Sequence, residues 1–169
     1  MENLNIEKNS EEVIEIKKSD EQMLHNAAQL ISEYSWGLEY PINPIDEVLS
    51  ADYCVGVVMH NKLIGFGSVG RTFSPDSLDH GELWVAHAVV APEFRGKGVL
   101  SKLYDKQLAY AKSQQGRILS CTNNPIAEKF LLKNGWNEVR NTLDEGGEVT
   151  TVFEYDRNYK NLNNFNETK

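Results

Sequence analysis

The sequence is poor in the residues that build metal and disulfide chemistry. It has two cysteines, Cys54 and Cys121, far apart and without a CxxC pair, and four scattered histidines. Two reduced thiols and no metal site are therefore expected. No stretch reaches the roughly 18 uninterrupted apolar residues of a membrane span, so no membrane partner is expected. The opening residues, MENLNIEKNSEE, are polar and acidic, unlike a signal or transit peptide. A cytoplasmic location is the expectation. Basic residues are scarce too: 17 Lys+Arg against 25 Asp+Glu give a formal net charge of -8. Binding to a phosphate backbone needs a basic footprint, so no nucleic-acid partner is expected. The acidic balance serves solubility and mildly favours cationic small substrates.

What is present describes one domain. The chain has 169 residues, 40% of them hydrophobic. That is enough to bury roughly two-thirds of the unfolded surface, and too little chain for two ordinary domains. There is no internal repeat. Residues 1–10 and the Asn-rich stretch 158–169 read as polar tails around a single domain at 11–157.

Within that domain the hydrophobic pattern alternates between two periods. Glu12 to Lys17 alternates apolar and charged residues, as a half-buried strand does. Ser19 with Gln22 reads as a capping box for a helix with Met23, Leu24, Ala27, Ala28, Leu30, Ile31 and Tyr34 on one face. Gly37 stops it. Pro44 to Ala51 reads as a second short helix. Tyr53–His60 and Lys62–Val69 form a hairpin about Asn61. Glu82 to Ala91 is almost continuously apolar, which suggests a strand buried on both faces. The helix from Gly98 to about Gln114 places Leu100, Leu103, Tyr104, Gln107, Leu108 and Ala111 at helical spacing. Arg117–Thr122 is a short buried strand. Asn124 caps the next helix, with Pro125 in its first turn and Ile126, Ala127, Phe130 and Leu131 as its inner face. Gly135 ends it, and Trp136–Arg140 and Thr150–Tyr155 are the last strands. The order βααβββαβαββ gives a mixed α/β sheet with one strand–helix–strand crossover.

The segment with chemical content runs from Val89 to Ser101, VVAPEFRGKGVLS. A buried strand ends, a glycine-bearing loop turns and an amphipathic helix begins. Free backbone N–H groups and the helix dipole make such a turn an anion site suited to a pyrophosphate. Gly96 and Gly98 let the backbone approach a ligand closely, while Arg95 and Lys97 add charge. The pattern is neither the Rossmann GxGxxG nor the Walker A loop.

VVAPEFRGKGVLSKLY resembles the acetyl-CoA loop of the GNAT superfamily of acetyl-CoA-dependent N-acetyltransferases, Arg/Gln-x-x-Gly-x-Gly/Ala after Val-x-Pro. Val90, Pro92, Arg95 and Gly98 match, and Leu100 departs, standing where Gly or Ala is usual. Asn124-Pro-Ile-Ala127 followed by Lys133-Asn-Gly135-Trp136 resembles the family's Asn…Ala…Gly-Phe helix. The element order over residues 12–156 is also the family's.

The resemblance implies a sheet of about seven strands flanked by about four helices, splayed between the fourth and fifth strands. It implies acetyl-CoA as cosubstrate, with the pantetheine arm bonded along Ala88, Val89 and Val90 and contacted by Asn124. The pyrophosphate falls on the amides of Gly96, Lys97, Gly98, Val99, Leu100 and Ser101, beside Arg95. A primary amine of a small molecule or peptide attacks directly, with no acyl-enzyme, and an amide near Val89 or Val90 polarises the carbonyl. Glu82 and His87 are the candidate proton acceptors, each weighed against a structural role. The family's Tyr general acid corresponds to Leu131, so it is absent; Tyr104 and Cys121 are substitutes weighed against packing, and Cys121 is a minor candidate for an acylated nucleophile. Trp36, Tyr40, Arg71, Phe73 and Asp76 are candidates for the acceptor site. Arg71 favours a carboxylate-bearing acceptor, Asp76 a cationic one. A homodimer is possible by analogy. The alternatives are a non-catalytic acyl-CoA-binding sensor, kept open by Leu131 and Leu100, and an interaction protein that has lost the cofactor.

Overall fold

A computed structural model describes residues 11–37 and 39–161; the tail expected at 1–10 and residues 162–169 of the tail expected at 158–169 lie outside the described residues. The elements are β1 (Glu12–Glu15), α1 (Glu21–Ile31) continued by a π-helical turn (Ser32–Trp36), α2 (Pro44–Ser50), β2 (Tyr53–Met59), β3 (Lys62–Gly70), β4 (Leu83–Val90), α3 (Val99–Ser113), β5 (Ile118–Thr122), α4 (Pro125–Lys133), β6 (Trp136–Leu143) and β7 (Val149–Tyr155). They form one mixed sheet in the order β1-β2-β3-β4-β5-β7-β6. Every neighbouring pair is antiparallel except β4–β5, which is parallel. The crossover that makes it parallel runs through α3, the expected strand–helix–strand unit.

Helices cover both faces. Leu24, Ala27 and Ile31 of α1 and Val48 of α2 pack with Phe66, Trp84 and Val89 on one face. On the other face Val99 and Leu103 of α3 meet Val57, Ile64 and Val90. Tyr104, Ala111 and Leu131 meet Val69, Val85, Ile118 and Phe153 there.

Several local expectations change. The α1 cap is Asp20, not Ser19: its Oδ1 accepts from Met23 N–H at 3.2 Å, the reach of a residue immediately before the first turn. Leu100 is 44% exposed. It stands one residue, about 100° of helix, away from Val99, and the buried stripe runs through Val99, Leu103, Tyr104, Gln107 and Ala111 instead. Ile126, placed on the inner face of α4, is 80% exposed. At the C-terminal side Tyr159 Oη donates to Lys133 O at 3.0 Å. The packed chain thus continues past the boundary expected at 157. Among the described residues no helix is long and apolar enough to cross a membrane.

Candidate active site

The site is a split in the sheet. β4 and β5 pair only at Leu83–Ile118 and Trp84–Leu119. At the next position Ser120 Oγ donates to Val85 O at 2.8 Å, so a side chain takes over where the backbone ladder ends. Beyond that point no ladder joins Ala86–Val90 to β5, leaving a strand edge with main-chain groups for an extended ligand arm.

A bulge in β4 marks the opened segment. Ala86 pairs with Ser68 and Val89 with Phe66, so β4 carries one extra residue. His87 takes up the excess with φ 58, a left-handed conformation costly for a non-glycine residue. The bulge turns His87 to the same face as Ala86, toward α1 and α2. There its ring meets Trp36 and Phe73 edge-on, at 5.5 and 4.5 Å between centroids. Nδ1 lies 2.6 Å from Ser68 Oγ and Nε2 3.2 Å from Glu47 Oε2. Buried Gln107 of α3 supports the bulge from the other face, donating from Nε2 to Ser68 O at 2.9 Å and Ala86 O at 3.0 Å. This approach requires Gly67, where a Cβ would stand 2.6 Å from the Gln107 amide carbon.

The loop after β4 has the geometry of an anion site. Gly96 and Gly98 have φ of 75 and 82, and a Cβ built on either would meet no atom within 4 Å. Gly98 caps α3 with no side-chain hydrogen bond, and the first turn carries no acidic residue. Val99 is buried as the anchor, whereas Leu100 and Ser101 are exposed beside it. The first N–H groups of a 15-residue helix therefore face open space with the dipole behind them. The predicted basic residues sit differently. Arg95 Nε turns back to donate to Val90 O at 3.0 Å, and Lys97 Nζ lies 5.7 Å from the centre of the Phe94 ring. Ala88 is exposed, Val89 and Val90 are buried and paired to Phe66 and Gly65, and Asn124 Oδ1 is used in capping α4, accepting from Ile126 N–H at 2.9 Å.

Glu82 falls at the other end of β4, before the paired segment. It accepts from Arg117 N–H at 2.7 Å. Arg71 is tied to the same region, donating to Gly81 O at 2.9 Å and Gln115 O at 3.3 Å. Asp76 is engaged by Arg140 at 2.9 and 3.1 Å, and this guanidinium holds its carboxyl well below the usual range. Arg140 and Arg117 also reach Asp79, at 2.6 and 2.5 Å, and Arg117 pairs with Glu154. Of the acceptor candidates, the structure brings Trp36 and Phe73 against His87, with Tyr40 beside Trp36. Trp36 and Tyr40 are 4.6 Å apart, and Tyr40 Oη donates to Glu145 at 3.0 Å. Glu47 and Ser68 escaped the sequence reading because nothing in their local pattern points to His87.

The model of the acetyltransferase (GNAT) family matches residues 12–136. The chain belongs to this family. No curated protein matches the sequence. Among solved structures, PH1933 from Pyrococcus horikoshii OT3 is 18% identical, with a TM-score of 0.69 over 89% of this chain and 100% of that one. An acyl-CoA N-acyltransferase from Pseudomonas aeruginosa is 15% identical, with a TM-score of 0.68 over 87% and 100%. Aminoglycoside 6'-acetyltransferase type Ii is 16% identical, with a TM-score of 0.65 over 89% and 99%. The fold is therefore that of the GNAT acyltransferases, and the chain is an acyltransferase.

Against the GNAT pattern, Leu131 is buried in the core where the family's tyrosine is expected. Both suggested substitutes pack against the core. Tyr104 is buried, accepts from Trp136 Nε1 at 2.7 Å, and burial pushes its phenol up to about 12. Burial also pushes the Cys121 thiol up to about 11, which disfavours the thiolate a nucleophile needs.

Proposed function

We propose that this protein transfers the acetyl group of acetyl-CoA to a primary amine of a small molecule or peptide, by direct attack and without an acyl-enzyme. The observation that carries this reading is the split in the sheet. The parallel pair β4–β5 ends after two positions, and the opened edge leads into a glycine loop with uncapped helix N–H groups. When bound, acetyl-CoA supplies an acetyl carbonyl activated as a thioester.

The chain's own groups do the rest. The amides from Gly96 to Ser101 bind the pyrophosphate. The free edge of Ala88, Val89 and Val90 aligns the pantetheine arm as an added strand, and an amide there is directed at the carbonyl oxygen. Asn124 lines the opposite wall. The attacking amine must be neutral, so a group at or beside the opened segment has to take its proton. Of the two predicted acceptors, His87 lies in that segment and Glu82 does not. The high thiol pKa of Cys121 supports direct attack.

The deciding measurement is a calorimetric titration with acetyl-CoA, followed by CoA release with amines, polyamines, amino acids, aminoglycosides and peptides. Binding with release for one amine class is expected. Absence of acetyl-CoA binding would overturn the reading.

A further inference from the structure

We propose that Glu47 takes the acceptor amine's proton, and that His87 and Ser68 are its positioning residues. The proposal rests on reading the split sheet as an acetyl-transfer site. It starts from hydrogen-bond accounting around a buried imidazole. The His87 side chain is 5% exposed and that of Glu47 21%, and Ser68 is fully buried. Both ring nitrogens are engaged, whereas Glu47 keeps one carboxylate oxygen beyond its bond to the ring, so the proton is assigned to the carboxylate.

The contacts fix the partners of the pair. Ser68 Oγ has a single proton and two acceptors in reach, His87 Nδ1 at 2.6 Å and Ala86 O at 3.3 Å. Gln107 already donates to Ala86 O, so the Ser68 proton is free to go to Nδ1. With Ser68 donating to Nδ1, the proton on Nε2 donates to Glu47 Oε2. Among the described residues no donor reaches Oε1, which is left to accept. If the ring becomes an imidazolium, Nδ1–H donates to Ser68 Oγ and the hydroxyl swings to Ala86 O. Every hydrogen bond is kept in both arrangements, so Glu47 is held in one place.

The surroundings of the pair carry few charges. Trp36 from the π-helical turn and Phe73 from the loop before β4 present rings. On α2 itself, Asp46 is exposed. Lys18 Nζ donates to Val48 O at 3.2 Å and to Leu49 O at the far end of the helix. The Cys54 thiol beside Val48 O is pushed up to about 11 by burial and is uncharged.

The step balances as follows. An N–H bond of the ammonium breaks and an O–H bond forms at Glu47 Oε1, freeing the nitrogen lone pair. The C–N bond forms as the C–S bond breaks, and its electron pair leaves on sulfur. The amide nitrogen's second proton goes to that sulfur, and the Glu47 proton passes to water.

The test combines turnover with a spectroscopic measurement. In Glu47→Gln, kcat should fall about 100-fold at pH 7, and the loss should shrink toward pH 9.5, where more of the amine is already neutral. Acetyl-CoA affinity should stay within about two-fold. Nitrogen-15 spectra of the wild-type imidazole should show a proton on His87 Nε2, the nitrogen that faces Glu47. An equal loss at both pH values, or a proton on Nδ1 of the neutral ring, would overturn the assignment of Glu47 alone. A wild-type protein that binds acetyl-CoA but acetylates no amine would overturn the reading of the site, and this proposal with it.

Discussion

At the end of β4 that meets β5, polar side chains satisfy one another. Glu82 holds the Arg117 N–H, and Asp76 and Asp79 hold Arg140 and Arg117. At the end that parts from β5, backbone groups are left open and glycines replace side chains. The same strand thus has a closed end tied by side chains and an open end with free main-chain groups. The two proton acceptors suggested by the sequence fall one at each end. The contrast teaches that place decides between them: His87 lies in the opened segment and Glu82 lies at the paired end.

The sharpest way to break the comparison is at the open end. Gly98→Asp places a charge and a Cβ where the pyrophosphate is proposed to sit, in a backbone conformation that strains any L-residue. Acetyl-CoA affinity should drop by about 100-fold or more, with a stability loss of about 1–2 kcal/mol. Unchanged affinity in calorimetry would remove the loop from the site.

At the closed end the effect should fall on stability instead. Arg140→Gln should cost about 2 kcal/mol in chemical denaturation and leave acetyl-CoA affinity intact. It should also alter the response to acid. Arg140 depresses the Asp76 carboxyl in the folded protein, so its contribution is fully present above the unfolded value of about 3.9 and is lost as pH falls through the folded value. The stability gap between wild type and variant should be widest near neutrality and should narrow below about pH 4. A gap independent of pH would mean that the ion pairs contribute little.

The smallest effect is expected for Glu82→Gln. The amide oxygen can still accept from the Arg117 N–H, so the loss should stay below about 1 kcal/mol. Turnover should change by the same factor at pH 7 and pH 9. A loss confined to pH 7 would return Glu82 to the chemistry.

The element order was legible because each segment carries its own period and its own punctuation. Asn124 with Pro125 marks α4, and Gly98 with the stripe from Leu103 to Ala111 marks α3. The glycine loop was legible as a motif. The bulge was not, because strict alternation assigns His87 to the opposite face from Ala86. A one-residue insertion in β4 becomes visible only against the register of β3. The partnership of His87 with Glu47, 40 residues apart, depends on that bulge and so was hidden with it. Leu100 and Ile126 were misjudged because hydrophobicity alone does not say which side of a first helical turn faces the sheet.

Gln107 gives α3 a second duty. The helix begins at the loop proposed to hold the pyrophosphate, and Gln107 grips both carbonyls at the bulge. Eight residues of α-helix separate Val99 from Gln107, a rod of about 12 Å. The helix therefore acts as a spacer of fixed length between the loop proposed to hold the pyrophosphate and the imidazole at the bulge. Lengthening or shortening α3 by one residue would rotate Gln107 away from the sheet by about 100° and uncouple the two.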